Sequence, residues 1–551
     1  MAVVTFSKKL FEKDIGKLDD VMQSKIALFG TPLEEITENE VHIEVFPNRP
    51  DLLSYYGFKR SFLAFLGKNT GLKSYKLNKP EKDYKVTIDS SVEDVRPYTA
   101  CAIVKNLSLD DEKIKEIIEM QEKLHTTIGR KRKKMAIGIY PIEKIKLPIT
   151  FKAIEPDKIK FIPLEIEREL SGLEILQKHP KGKEYAHLLA GKAKFPVFVD
   201  ADKRILSMVP IINSNLTGRV VAETKNVFIE CSGHDLETLK SCLNIIVTSM
   251  ADMGGKIYQM DLNYGYGKKE ATPDLTPKKM KLSLQNINKL LGLDLKEKQV
   301  KTLIEKMGHN YDLGKGVVET PAWRTDILHE VDLIEDVAIA YGYENFIPEI
   351  PEISTIGSED KKETIKRKFS EILSGLGILE VSNYHLTSKK DQTEKMSISE
   401  KQEFIEVESS KTEYTTLRET LTPLLLKNLS ENVDSEYPQK IFETGTIFTN
   451  SETKITEKES LALAISPGNF TEIKQIIEYL FKMIGLEVVL KEAGEIPGHL
   501  IEGRTAKIIY KEHEIGLIGE VHPRTLKNWK IRMPVALFEI EIDEILKELI
   551  K

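Results

Sequence analysis

Cysteine is scarce in this chain: Cys101, Cys231 and Cys242 are the only three among 551 residues. An odd trio without metal-type spacing excludes a disulfide framework and suits a reducing compartment. No apolar run reaches the ~18 residues a membrane-spanning helix needs. The opening MAVVTFSKKLFEKD contains no apolar stretch of signal-peptide length, so a cytoplasmic protein without membrane association is expected. A charge excess of one sign is missing too. Lysine plus arginine (80) nearly balances aspartate plus glutamate (86), leaving a net charge of −6. A nucleic-acid partner must therefore be met by a local basic face, since the field of the whole molecule is weakly acidic. No Walker loop, Ser–His–Asp order or Cys–His pairing stands out.

What is present is a chain able to bury cores. Hydrophobic residues make up 41% of it, too many for intrinsic disorder, and at ~150 residues per domain the length allows three to four domains. Composition and punctuation separate blocks at 1–80, 84–270, 271–350 and 355–551. The polar KSYKLNKPEKD (73–83) closes the first, and NYGYGKKEATPDLTP (263–277) leads out of the second. The paired prolines of IPEIPEISTIGSED (347–360) read as an extended connector.

Blocks one and three share a repeat. Residues 46–67 read FPNRPDLLSYYGFKRSFLAFLG and residues 321–342 read PAWRTDILHEVDLIEDVAIAYG. Aligned without gaps, Arg49 and Asp51 meet Arg324 and Asp326, and Gly67 meets Gly342. Each copy follows a helical run ending in glycine and then a strand-like piece, which implies a duplicated small α/β module of winged-helix-like type. The period is too long for a solenoid. In the third block, apolar residues from Leu328 to Tyr341 recur at three- and four-residue steps, predicting an amphipathic helix from near Ile327. The fourth block alternates helices with short strands, the pattern of an α+β antiparallel sheet. The fold class expected overall is multidomain α+β.

Two clusters carry candidate chemistry. Asp326 precedes the predicted helix, and Asp332, Glu335 and Asp336 stand at i, i+3 and i+4 on it. Converging carboxylates repel unless a cation sits among them, and all-oxygen ligation suits Mg²⁺; a solvated acidic face favoured by the helix dipole is the alternative. The first copy has Gly57, Arg60 and Ser61 at the positions equivalent to 332, 335 and 336, so the module can form without these acids. The basic run GRKRKK (129–134) reads either as a solvated loop before a strand or as a phosphate contact.

The string WRTDILHEVDLIEDVAIAYGYENF (323–346) resembles the hallmark of phenylalanine–tRNA ligase beta subunits. PNRPDLLS, KLHTTIGRKRKKMAIGIYPIE, VPIINSNLTGRV, TTLRETLTPLLLKNL, IFETGTIF and GEVHPRTLKNW resemble segments of the same family in its archaeal and eukaryotic form, in the same order. The resemblance implies a class II ligase assembled as an α2β2 heterotetramer. Its alpha subunit binds ATP, phenylalanine and the 3′ end of tRNA(Phe). The fourth block then resembles a class II catalytic fold without its chemistry, in keeping with the lack of any G-x-G-x-[EDG]-R string. Arg418 and Glu419 are similar to one catalytic motif, an isolated piece. KMSIS (395–399) resembles a nucleotide loop of the other synthetase class but has no HIGH partner, so it reads as loop.

For the third block, the resemblance implies a Mg²⁺ site on Asp326, Asp332, Glu335 and Asp336, shared with the alpha subunit. For the second, it implies editing of mischarged Tyr-tRNA(Phe). A pocket made for phenylalanine cannot strongly exclude an analogue that merely adds a hydroxyl, so a second site must hydrolyse the wrong product. The candidates are Glu230 and Ser232 as polar recognition groups, Ser207 as a lining hydroxyl and Phe198 as apolar wall. The family often shows Asp and Thr where this chain has Glu230 and Ser232. Two other readings stay open at this point: a free-standing tRNA deacylase, and a non-catalytic RNA-binding scaffold.

Overall fold

A computed structural model of the protein describes residues 2–398, 403–408, 410–451 and 454–550. The chain divides into two compact units, Met1–Ile350 and Pro351–Lys551.

The first unit opens with β1 (Ala2–Ser7), α1 (Lys8–Asp14), α2 (Asp20–Leu28), β2 (Leu33–Ile36), β3 (Glu40–Val45) and α3 (Tyr55–Phe65). Its three strands pair in the order β1-β3-β2. The Ser54 hydroxyl caps α3 by accepting from the Gly57 amide, and Phe58 and Phe62 on its inner face are buried. Each such ring contributes about 1.5–3 kcal/mol through burial. Gly57 cannot be replaced at this turn, because a Cβ there would sit 2.0 Å from the Asp51 carbonyl oxygen.

The middle of the unit is an 11-stranded sheet. Its main strands are β4 (Lys85–Ile88), β5 (Tyr98–Lys105), β6 (Met135–Pro141), β7 (Ile149–Ile154), β8 (Phe195–Val199), β9 (Ile205–Met208), β10 (Ile212–Asn213), β11 (Val227–Gly233) and β12 (Lys256–Tyr264). They run in the order β10-β9-β8-β7-β4-β12-β5-β11-β6, with two short strands added beside β12. Helices α4 (Asp111–Thr126) and α5 (Leu236–Asp252) belong to this region. Residues of α5 from Leu239 to Met250 join those of β5, β6 and β11 in a core that continues into the opening module.

The unit ends with β13 (Lys278–Lys281), α6 (Leu284–Leu291), α7 (Glu297–Lys306), β14 (Asn310–Asp312), β15 (Val317–Thr320) and α8 (Glu330–Tyr341). Strand, two helices, two strands, helix is the order of the opening module as well, and the pairing β13-β15-β14 repeats its sheet. The shared R-x-D motif makes the same fork in both. Arg49 Nε and Nη2 donate to the two Asp51 oxygens at 2.9 Å each, and Arg324 Nε and Nη2 donate to those of Asp326 at 2.9 and 2.7 Å. The two copies also touch. The Gly71 amide donates to Glu305 O at 2.7 Å, and the Arg60 guanidinium lies over the Trp323 ring at 4.4 Å while pairing with Asp252 at 2.7 Å. Helix α8 begins at Glu330, three residues later than the apolar periodicity predicts. The His329 ring caps it, and Asp332 takes the amides of Leu328 and His329, leaving Leu328 and Val331 exposed.

The second unit is a seven-stranded sheet: Leu379–Glu380, β16 (Gln439–Ser451), β17 (Lys454–Ser466), β20 (Ala536–Glu541), β19 (His513–Val521), β18 (Leu500–Tyr510) and Val489–Glu492. It is antiparallel except at the first edge, where Leu379–Glu380 runs parallel to β16. Alternate residues feed opposite cores, as the pleat requires. Phe442 and Leu461 pack with α9 (Lys361–Gly375) and α10 (Phe470–Met483), while Ile441 and Ala462 pack with Leu425 and Trp529. Residues 395–398 of the KMSIS string lie in a turn; Ser399 lies outside the described residues.

Removing one partner of a buried fork leaves an uncompensated charge. Arg49→Ala and Arg324→Ala should each cost about 3–5 kcal/mol in denaturant unfolding. Arg→Lys at either position should recover little, because an ammonium cannot reproduce the two-pronged geometry.

Candidate functional site

The first unit holds a cavity of about 670 Å³ walled by α4, β6, the β9–β10 hairpin and the 164–167 segment. Its position follows from strand pairing. On β11, every residue is buried, and Glu230 stands opposite Cys101 on β5 and Gly138 on β6. Gly138 leaves the space the carboxyl needs: a Cβ there would lie 2.5 Å from Glu230 Oε1 and 2.3 Å from the Tyr140 hydroxyl. Glu230 thus reaches the cavity wall from the strand next to the sheet's edge.

Polar groups converge around it. The Tyr140 hydroxyl donates to Ser207 Oγ at 2.8 Å and lies 3.3 Å from Asn213 Oδ1 and 3.4 Å from Glu230 Oε1. Glu230 Oε2 is buried without a partner among the described residues. Burial pushes the Glu230 carboxyl up to about 8, against the pull of the nearby Arg96 guanidinium, so it is mostly protonated at neutral pH. Ile137, Ile139, Val209 and Ile211 supply apolar wall.

Ser207 and Glu230, both anticipated from sequence, line this cavity. The other two anticipated residues do not. Ser232 is buried against Arg96, which donates to its Oγ at 3.3 Å and its carbonyl at 2.6 Å. Phe198 is stacked on Phe151 at 4.4 Å inside the sheet's core, so the apolar wall comes from other residues. Tyr140 and Asn213 escaped sequence reasoning because each comes from a different strand and neither carries a local motif. His125 lines the cavity, but its Nε2 accepts the Ile137 amide at 2.8 Å and its Nδ1 faces Glu122 at 3.4 Å, which leaves it no free nitrogen for proton transfer.

The basic run 129–134 is split by the fold. Arg132 turns inward: Nη1 donates to the carbonyls of Pro210 and Ile211 at 3.4 and 2.9 Å, Nη2 donates to Glu122 at 2.8 Å, and the guanidinium lies over the Tyr185 ring at 4.6 Å. Arg130, Lys131 and Arg132 have φ of 45°, 53° and 64°, three successive left-handed residues at about 1–2 kcal/mol each. Arg130, Lys131, Lys133 and Lys134 remain exposed.

In the third block, the four carboxylates do not converge. Asp326 spends both oxygens on Arg324. Asp336 is buried, its Oδ2 accepting from Arg324 at 2.8 Å and His309 Nε2 at 2.7 Å. Burial opposes its ionisation, but Arg324 and His309 outweigh it and hold the carboxyl at about 2. Asp332 Oδ2 caps α8, and Glu335 is exposed. The expectation that 332, 335 and 336 converge fails because Asp336 is buried on Arg324 and His309 while Asp332 caps the helix and Glu335 faces solvent. Among the described residues, no group of three or more His, Cys, Asp or Glu is arranged to hold a metal ion. Mg²⁺ usually takes one or two carboxylates and keeps several waters, so the four-carboxylate set expected from sequence is not the one present: Asp326 and Asp336 are committed to Arg324 and His309, and Asp332 and Glu335 remain.

In the second unit, Arg418 is buried. It donates to Glu443 at 2.5 Å and to the carbonyls of Thr446 and Asn383 at 2.8 and 3.2 Å, so it is closed off from any ligand phosphate.

Comparison with known proteins finds relatives along most of the chain. The family model described as "Phenylalanyl tRNA synthetase beta chain CLM domain" matches residues 347–542, and the "tRNA synthetase B5 domain" model matches residues 280–343. The phenylalanine–tRNA ligase beta subunit of Thermococcus sibiricus is 42% identical over 501 residues, covering 90% of this chain and 88% of the relative. That of Archaeoglobus fulgidus is 38% identical over 549 residues, covering 98% of each. The crystal structure of an N-terminal fragment of the Pyrococcus horikoshii phenylalanyl-tRNA synthetase beta subunit is similar with a TM-score of 0.59 and 39% identity, covering 62% of this chain and 99% of the fragment. Two such relatives, each aligned along nine-tenths or more of this polypeptide, place it in the beta-subunit family of phenylalanine–tRNA ligase.

Proposed function

We propose that this chain works with an alpha subunit in a phenylalanine–tRNA ligase complex, and that its cavity hydrolyses Tyr-tRNA(Phe). The alpha subunit would bind ATP and phenylalanine and charge the tRNA. The observation carrying the editing reading is Glu230, a protonated, buried carboxyl with an unpartnered oxygen at the wall of a cavity large enough for a tyrosyl group. An apolar slot that ends in one unsatisfied polar group favours a ligand bearing a hydroxyl there and disfavours its hydrogen-terminated analogue. Ser207, Tyr140 and Asn213 position that end of the slot. Catalysis of the ester step falls to a water, since the cavity's imidazole is already engaged on both nitrogens.

Arg418, tied down by Glu443 and two carbonyls, supports a non-catalytic second unit that serves as scaffold and subunit interface. The corner around Leu328 (78% exposed), Val331 (49%), Asp332 and Glu335 supports docking of the alpha subunit there. Asp332 Oδ1 and Glu335 are the carboxylate groups left to a Mg²⁺ ion at that corner, whose other ligands would come from the alpha subunit and water.

Three outcomes test these readings. The complex should deacylate Tyr-tRNA(Phe), and Glu230→Ala should slow this about 10–100-fold, the worth of one buried hydrogen bond; absence of deacylation by the wild type would favour a scaffold. The carboxyl's folded pKa lies above its ordinary value, so the protonated form persists to about pH 8 and deacylation should fall as pH rises through that value. Glu230→Gln, which keeps a donor, should lose that limb of the profile. Finally, Asp332→Ala with Glu335→Ala should weaken co-purification of the alpha subunit, while EDTA leaves the thermal midpoint of the isolated beta chain unchanged.

A further inference from the structure

The loop 129–134 is built at a cost and then left partly unused. Three consecutive non-glycine residues in the left-handed region are sustained only when surrounding structure holds them. Here the hold is Arg132, pinned to the β9–β10 hairpin that carries Ser207 and Asn213. The Lys134 amide closes the loop on Gly129 O at 2.9 Å, and the Arg132 amide donates to His125 O at 3.2 Å. Inward anchoring of one cation presents its neighbours outward. Among the described residues, the side chains of Arg130, Lys131 and Lys133 are exposed and have no carboxylate in salt-bridge range. Arg132 itself lines the cavity, so these three cations stand beside its wall. Arg219, also exposed, lines the same cavity from the 215–219 segment. Of the other charged residues lining the cavity, Glu165 and Glu167 stand on the 164–167 segment and Lys181 is paired with Glu184 at 3.1 Å.

We propose that Arg130, Lys131 and Lys133 are a phosphate-docking loop for the single-stranded RNA end that delivers its ester-linked amino acid into the cavity. This rests on the editing reading and names how its substrate is held. A rigid row of cations suits a flexible strand, because the protein carries the ordering and the phosphates supply salt-dependent, sequence-blind attraction. Arg132 is a positioning residue that keeps the row in register with the pocket.

The test compares the wild-type complex with the triple variant Arg130→Ala, Lys131→Ala, Lys133→Ala, leaving Arg132 intact. For deacylation of Tyr-tRNA(Phe), KM should rise several-fold with kcat unchanged. The slope of log KM against log salt should flatten by about 2, the contribution of three single-strand phosphate contacts. The charge-keeping variant Arg130→Lys, Lys131→Arg, Lys133→Arg should restore both. A second arm reads anisotropy of a labelled short single-stranded RNA on the full-length beta chain, where the triple variant should bind more weakly and with a flatter salt slope. Unchanged KM and salt slope, or a variant that loses the alpha subunit instead, would overturn the docking loop. If the wild type deacylates nothing, the editing reading falls while the anisotropy arm still judges the loop.

Discussion

One buried guanidinium organises the first unit. Arg324 carries Asp326 on one side and Asp336 with His309 on another, and its charge also lowers the Asp51 carboxyl of the first module. Arg49 acts in return on Asp336. Two forks descended from one motif therefore lie within each other's field, and neither can lose its arginine without exposing the other copy's acids to an uncompensated charge. That mutual dependence, together with Arg60 over Trp323, explains why three blocks separable by composition form one compact unit. It also explains how the second copy can hold extra acids: the arginine neutralises the one that turns inward.

The cavity follows a different logic. Its polar end is assembled from four strands and depends on glycine at 138 for room. Placing a carboxyl where water is excluded would be ruinous if it stayed charged, and the protein resolves this by protonation near neutral pH, with Arg96 restraining the shift. A group in that state can donate as well as accept, the property needed to read a hydroxyl.

The duplicated module was legible because the R-x-D fork is a local contact: two residues apart, arginine and aspartate meet whatever surrounds them. Helix α8 was legible from its apolar steps, yet its start was displaced by a cap that periodicity does not encode. The fate of Asp336 was hidden, since its partner His309 lies 27 residues away and Arg324 12. Spacing on a helix says which residues are neighbours; it does not say which way a buried cation pulls them. Phe198 illustrates a second limit. Strand β8 is buried along its whole length, so no alternation of polar and apolar residues marks which face meets the cavity. Arg132 illustrates a third, because a run of like charges looks uniform until backbone conformation sorts its members.

The ladder on either side of β11 bears on how rigid the cavity wall is. Glu230 is hydrogen-bonded into the sheet through both edges of its strand, with Cys101 and Gly138 as neighbours. Such a residue has no hinge. On the proposed editing reading, a guest would meet a wall whose backbone is held from both sides, so selectivity would drift through substitutions large enough to shift β5, β11 and β6 together.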